Sequence, residues 1–182
     1  MTSPAAPKDL RAYIRSIPDF PKPGIMFRDI TPLLRDAAAF KEAIRRMAGP
    51  YTNGGVDVVV GAESRGFIFG AAMALVLDAG FVPVRKKGKL PAKTTSVTYD
   101  LEYGTDTLEM HTDAVTAGAR VLMVDDLLAT GGTMAASCDM VQKAGGQIVG
   151  VEFLIELSFL HGREKLKPHP VRSEIVFENE LP

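Results

Sequence analysis

Two adjacent acids, Asp125 and Asp126, follow the apolar run Val121-Leu122-Met123-Val124. From them Leu127-Leu128 leads into the loop Ala129-Thr130-Gly131-Gly132-Thr133. A buried parallel strand ending in carboxylates delivers them to its carboxyl end, where open α/β sheets bind ligands. Two glycines and two hydroxyl residues in the loop let successive backbone N–H groups close around a phosphate at the start of the next helix. Paired acids beside such a loop suit the hydroxyls of a ribose, or water-mediated support of a magnesium ion. No lysine follows the glycines, so the loop is not a P-loop. On turn chemistry alone the same residues also fit a solvated turn in which one aspartate caps the following helix.

A second junction of this kind is Gly61-Ala62-Glu63-Ser64-Arg65-Gly66-Phe67. Gly61 and Gly66 permit close backbone approach, and Arg65 is a forked donor suited to phosphate oxygens. An exposed polar turn is the alternative reading. Five cations then crowd into nine residues, Arg85-Lys86-Lys87-Gly88-Lys89-Leu90-Pro91-Ala92-Lys93. Such runs are commonly solvated faces. This one directly follows a strand, at the sheet end that carries both loops, where it would offset the charge of a polyanion. In Tyr99-Asp100-Leu101-Glu102-Tyr103-Gly104, Glu102 sits between apolar and aromatic neighbours, a setting that raises a carboxyl pKa once water is excluded. It equally fits the wet face of a hairpin. Phe27 offers an aromatic face to a planar ligand, or serves as core. Cys138 reads as a small core residue, and His111, His161 and His169 lack any paired metal-ligand spacing.

The elements that must position these groups are legible in outline. Lys8 to Ser16 carries Leu10, Tyr13 and Ile14 at helical spacing and predicts a short amphipathic helix. Pro18-Asp19-Phe20-Pro21-Lys22-Pro23-Gly24 forbids regular structure, yet Phe20 within it and Ile25, Met26 and Phe27 just after it are large and apolar, so the stretch reads as a wall or lid. A second helix is expected from Asp36 to Ala48, with Asp36 as its N-cap. Strands are expected at Val56–Val60, Phe81–Val84, Val121–Val124 and Ile148–Ile155, and helices at Phe67–Leu77 and Met134–Lys143. Apolar runs alternating with helices indicate a mostly parallel sheet covered on both faces, an α/β fold. Pro83 places its strand near an edge or a strand start. Residues 88–113 alternate threonines, tyrosines and apolar residues, and predict a long, partly extended flap between two βα units.

At 182 residues the chain suits one domain, with residues 1–34 as an N-terminal helix and hood. A net charge of −1 excludes a global field drawing it to nucleic acid or an anionic membrane. A single cysteine, no apolar leader and no membrane-length apolar run lead to the expectation of a cytoplasmic protein.

The string from Val121 to Thr133 closely resembles the phosphoribosyl-pyrophosphate (PRPP) motif of the type I phosphoribosyltransferases: hydrophobic strand, two acids, threonine-glycine-glycine-threonine turn. Phe20-Pro21-Lys22-Pro23-Gly24-Ile25-Met26-Phe27-Arg28-Asp29-Ile30-Thr31-Pro32-Leu33, the basic run and Tyr99–Gly104 are similar to the corresponding segments of the adenine-specific branch. The motifs run in family order from about Pro18 to Leu166. The resemblance implies the type I fold, a central mostly parallel sheet with a small N-terminal hood and an extended flap. It implies transfer of a phosphoribosyl group from PRPP to adenine, giving AMP and pyrophosphate. It assigns Asp125, Asp126, Ala129, Thr130, Gly131, Gly132 and Thr133 to the 5′-phosphate and ribose. Glu63, Ser64, Arg65, Arg85, Lys86 and Lys89 fall to pyrophosphate. For adenine it implies stacking on Phe27, backbone contacts around Met26 and Arg28, and Leu157 on the other face. Glu102, beside Tyr103 in the flap, would act near N7 of the base, with Arg65 as its catalytic partner. It further implies Mg²⁺ carried on PRPP with no direct protein ligand, and a homodimer in which the basic run serves the neighbouring site. Gly162-Arg163-Glu164-Lys165-Leu166 also resembles the family, with no chemical role attached. The rivals are a transferase for another base, a PRPP-sensing regulator without catalysis, and an unrelated nucleotide-binding α/β protein.

Overall fold

The computed structural model describes residues 9–100 and 105–180. Where a helix is expected at Lys8–Ser16, the structure has a single 3-10 turn, Leu10–Tyr13, followed by a strand, β1 (Arg15–Ile17). Only Leu10 of that turn is buried. Backbone pairing of β1 with β2 (Phe27–Asp29), Arg15 opposite Asp29 and Ile17 opposite Phe27, outcompetes so short a helix. Pro18 ends β1 and starts the loop that joins the two strands. α1 (Thr31–Arg35) and α2 (Ala37–Ala48) follow. Asp36 caps α2 as expected, its carboxylate accepting from the Ala39 amide at 2.8 Å.

The remaining elements are β3 (Val58–Ala62), α3 (Gly66–Leu77), β4 (Gly80–Lys86), β5 (Thr94–Asp100), β6 (Thr105–His111), β7 (Arg120–Leu128), α4 (Gly132–Lys143), β8 (Gln147–Leu157) and β9 (Val171–Phe177). Seven of the strands form one sheet in the order β5-β6-β4-β3-β7-β8-β9. The five from β4 to β9 are parallel, and β5 and β6 are antiparallel additions. Pro83 is compatible with this because β4 meets β6 only at Arg85 and Lys86 and pairs on one side elsewhere.

Strand alternation divides the core between the two faces. Val59, Leu122 and Val124 pack with α2 and α3 residues such as Met47, Phe69 and Met73. Val60, Val121 and Met123 pack with α4 residues Met134, Cys138 and Met140. Burial pushes the Cys138 thiol up to about 12, which keeps it protonated and inert. No helix among the described residues is long and apolar enough to cross a membrane.

Since β3, β4, β7 and β8 are parallel, the loops after them all emerge at one edge of the sheet. The chain leaves β3 toward β4 on one side, and β7 lies on the other. The crevice between the loops after β3 and β7 is therefore the topological switch point, where open α/β sheets take their ligands.

Candidate active site

The loop after β7 is the most specific part of the site. Gly131 adopts φ +78°, a conformation that favours glycine, and turns the chain into α4. No side chain caps this helix, so its first amides remain directed at whatever the loop encloses. Asp125, Leu127–Met134 and Phe153 line a cleft of about 90 Å³ there. The hairpin β5–β6 reaches this loop through Tyr99, whose hydroxyl lies 3.0 Å from the Thr133 hydroxyl.

Asp125 and Asp126 end up in different surroundings. Asp125 faces the start of α3. A side chain at Gly66 would come within 2.6 Å of its carboxylate, so glycine is what lets helix and acid meet. Burial, and then the neighbouring Asp126 carboxylate, push the Asp125 pKa well above the usual range. Asp126 instead takes an ion pair from Arg65 Nε at 2.6 Å. The same guanidinium carbon lies 5.5 Å from the Phe27 ring centroid, within cation–π reach. Phe20 meets that ring edge-on, with centroids 5.0 Å apart. Arg65 thus spans the switch point, from the acid pair of β7 to the aromatic hood beside β2.

The Glu63–Ser64 peptide in the β3 loop is cis. Glu63 gathers part of the basic run. Lys89 Nζ is 2.6 Å from one carboxylate oxygen; Arg85 Nε at 3.3 Å and the Lys86 amide at 3.0 Å reach the other. Burial alone would raise the Glu63 pKa, but these donors outweigh it and hold the carboxyl below its ordinary value. Glu63, Arg85 and Lys89 therefore form one cluster, whereas the Lys86 ammonium turns away to Asp106 at 3.1 Å.

Around the hood, Arg28 is buried. Its guanidinium stacks 3.9 Å from the Phe177 ring centroid and donates to the Ser16 hydroxyl. Leu157 ends β8, paired with Phe177 of β9, and packs against the α2–α3 side of the core. Sequence reasoning passes over β9 and Phe177, although the apolar run Ile175-Val176-Phe177 is a strand signal. It passes over Asp29 as well. That carboxylate takes Arg15 Nε at 2.9 Å and the Thr31 amide and hydroxyl at 2.9 Å each, tying the hood strands to α1. Glu102 and Tyr103 lie outside the described residues.

The phosphoribosyl transferase domain family matches residues 31–179. The chain belongs to the phosphoribosyltransferase family. The adenine phosphoribosyltransferase of Chloroflexus aurantiacus is 57% identical over 170 residues, 93% of this chain and 98% of that protein. The crystal structure of the Thermoanaerobacter pseudethanolicus adenine phosphoribosyltransferase superposes with a TM-score of 0.90 at 53% identity, covering 93% of this chain and 98% of that one. The Saccharomyces cerevisiae adenine phosphoribosyltransferase, complexed with an imino-altritol bisphosphate and adenine, gives a TM-score of 0.86 at 40% identity, covering 91% and 96%. In this phosphoribosyltransferase the β7 acids border the crevice beside the loop that opens α4, and Arg65 links them to the Phe27 ring of the hood.

Proposed function

We infer that this phosphoribosyltransferase transfers the 5-phosphoribosyl group of PRPP to adenine, giving AMP and pyrophosphate. The observation that carries the reading is the placement of Arg65, which joins the acid pair beside the phosphate loop to the aromatic ring of the hood. Phe27 stacks the base, backbone groups around Met26 and Arg28 read its edge, and Leu157 covers its other face. The α4 loop, Ala129 to Thr133, takes the 5′-phosphate on backbone amides, and Asp125 and Asp126 hold the ribose hydroxyls. Ser64 and Arg65 take the pyrophosphate, with Glu63 orienting Arg85 and Lys89 beside it and Lys86 at the margin.

In the reaction a ring nitrogen of adenine bonds to the anomeric carbon as the bond from that carbon to a pyrophosphate oxygen breaks. Positive charge builds on the ribose, and the base loses its ring proton. Holding two reactants in line supplies about 7–11 kcal/mol, whereas a positioned proton acceptor such as Glu102 adds about 10²–10⁴-fold in rate. Positioning is therefore the larger contribution. Mg²⁺ carried on PRPP would supply neutralisation of the pyrophosphate charge. Asp125 and Asp126 would support it through water: burial and the adjacent Asp126 carboxylate raise the proton affinity of Asp125, a crowding that a nearby dication would relieve.

A homodimer is supported by α3, which carries Ile68, Leu75 and Val76 on its solvent face. A cytoplasmic location is supported by the single, buried free cysteine, which suits a reducing compartment.

The test is a product assay with PRPP, Mg²⁺ and adenine, hypoxanthine or guanine in turn. AMP and pyrophosphate from adenine alone are expected. Turnover of a 6-oxo purine in preference to adenine would sink the assignment of the base.

A further inference from the structure

Gly162 and Arg163 belong to the one motif left without a chemical role, and the structure places them against the phosphate loop. A side chain built on Gly131 would lie 2.5 Å from the carbonyl oxygen of Gly162 and 3.3 Å from its Cα. A side chain on Gly162 would strike the carbonyl oxygen of Ala129. It would also lie 2.8 Å from Leu128 Cδ1 and 3.1 Å from the Gly131 nitrogen. Two segments far apart in sequence thus meet backbone to backbone, and both must be glycine at the contact. Residue 162 is the outer wall of the loop that turns into α4.

What fixes that wall is Arg163. Its guanidinium grips Glu156 through Nε and Nη2, each at 2.6 Å. It also donates to the Val171 carbonyl at 2.7 Å and to the Ser173 hydroxyl at 3.3 Å. Glu156 is buried and lies opposite Leu128 in the sheet, the residue from which the phosphate loop departs. One guanidinium therefore ties the wall to β8 and β9 next to the root of the loop. Leu166, buried in the α4-side core, anchors the other end of the segment. His161, at φ +55°, makes the turn that brings Gly162 in. A bidentate, charge-assisted pair of this kind fixes direction as well as distance.

We propose that the Gly162–Arg163 segment is a brace that holds the phosphate loop in its binding conformation, with both residues acting as positioning residues for the 5′-phosphate. This rests on the phosphate-loop reading given above. A loop whose amides must converge on one phosphate loses affinity when its backbone moves by a fraction of an ångström, because each hydrogen bond weakens together.

The experiment measures ribose 5-phosphate and PRPP binding by calorimetry, and KM for adenine, for the wild type, Gly162→Ala and Arg163→Lys. Gly162→Ala should weaken both phosphate ligands at least about tenfold while KM for adenine stays within about twofold. Arg163→Lys keeps the charge but not the fork, and should show a smaller loss of the same selectivity; it also serves if the alanine variant does not fold. Unchanged ribose 5-phosphate affinity in folded variants, or an equal loss toward adenine, would overturn the brace. A wild type that binds neither phosphate ligand would overturn the phosphate-loop reading itself, and the brace with it.

Discussion

Arg65 has an unusual number of tasks for one side chain. Its ion pair with Asp126 and its position over Phe27 make it the only link among the described residues between the acid pair and the hood ring. Preorganised charge at a position where charge develops is worth about 10²–10³ in kcat when a single donor is removed. Arg65→Ala is therefore expected to lower kcat at least about 10²-fold, and at least as far as Glu102→Ala does. Steady-state kinetics of the two variants checks this. A Glu102 variant far more crippled in turnover would mean that proton transfer, not positioning and charge, limits the reaction.

At the scale of the element, β8 is held from beneath by a buried acid outside the site. Glu152 is fully buried in the strand. It accepts from the Tyr51 hydroxyl at 3.1 Å and pairs with Arg172 of β9 at 2.9 Å, and Arg172 also faces Glu174 at 3.8 Å. Burial pushes its pKa up to about 7, against the pull of Tyr51 and Arg172. The sign follows from linkage. A carboxyl that binds its proton more tightly when folded stabilises the fold as pH drops from about 7 toward its ordinary value of 4.5, and costs stability above 7. At about 1.4 kcal/mol per unit the swing is a few kcal/mol. Glu152→Gln, which cannot titrate, should therefore compare more favourably with the wild type at pH 8 than at pH 5. Thermal unfolding of both proteins at the two pH values measures it, and a difference independent of pH would refute the assignment.

For the whole molecule the telling surface is α3. Its sequence, Gly-Phe-Ile-Phe-Gly-Ala-Ala-Met-Ala-Leu-Val-Leu, is apolar all round, the pattern of a helix covered on every side. Phe69, Met73 and Ala74 are buried in the chain's own core, yet Leu75 is 86% exposed and Val76 54%. The proposed homodimer, with a second copy covering that face, would account for the mismatch. Leu75→Glu is expected to shift the protein from dimer to monomer in size-exclusion chromatography with light scattering. A monomeric wild type would remove the homodimer from the reading.

Much of this was legible in residue order because it depends on local chemistry. A short apolar β-branched run bounded by turn residues reads as a buried strand, Gly131-Gly132 marks the turn that opens a helix, and Asp36 ahead of an apolar helical stripe caps it. The strands, the helices and the glycine turn between β7 and α4 all follow from such short-range signals. The N-terminal helix failed for the complementary reason: so short a segment has little helical preference, and pairing with Phe27–Asp29 decided its conformation. What only the tertiary structure decided are the contacts between segments distant in sequence. Arg65 reaching Asp126 and Phe27, Glu63 collecting Arg85 and Lys89, Phe177 beneath Arg28, and Gly162 against Gly131 each depend on which strands lie side by side. Strand order is a property of the whole sheet, because it is set by the joint burial of both faces, and no window of the sequence contains it.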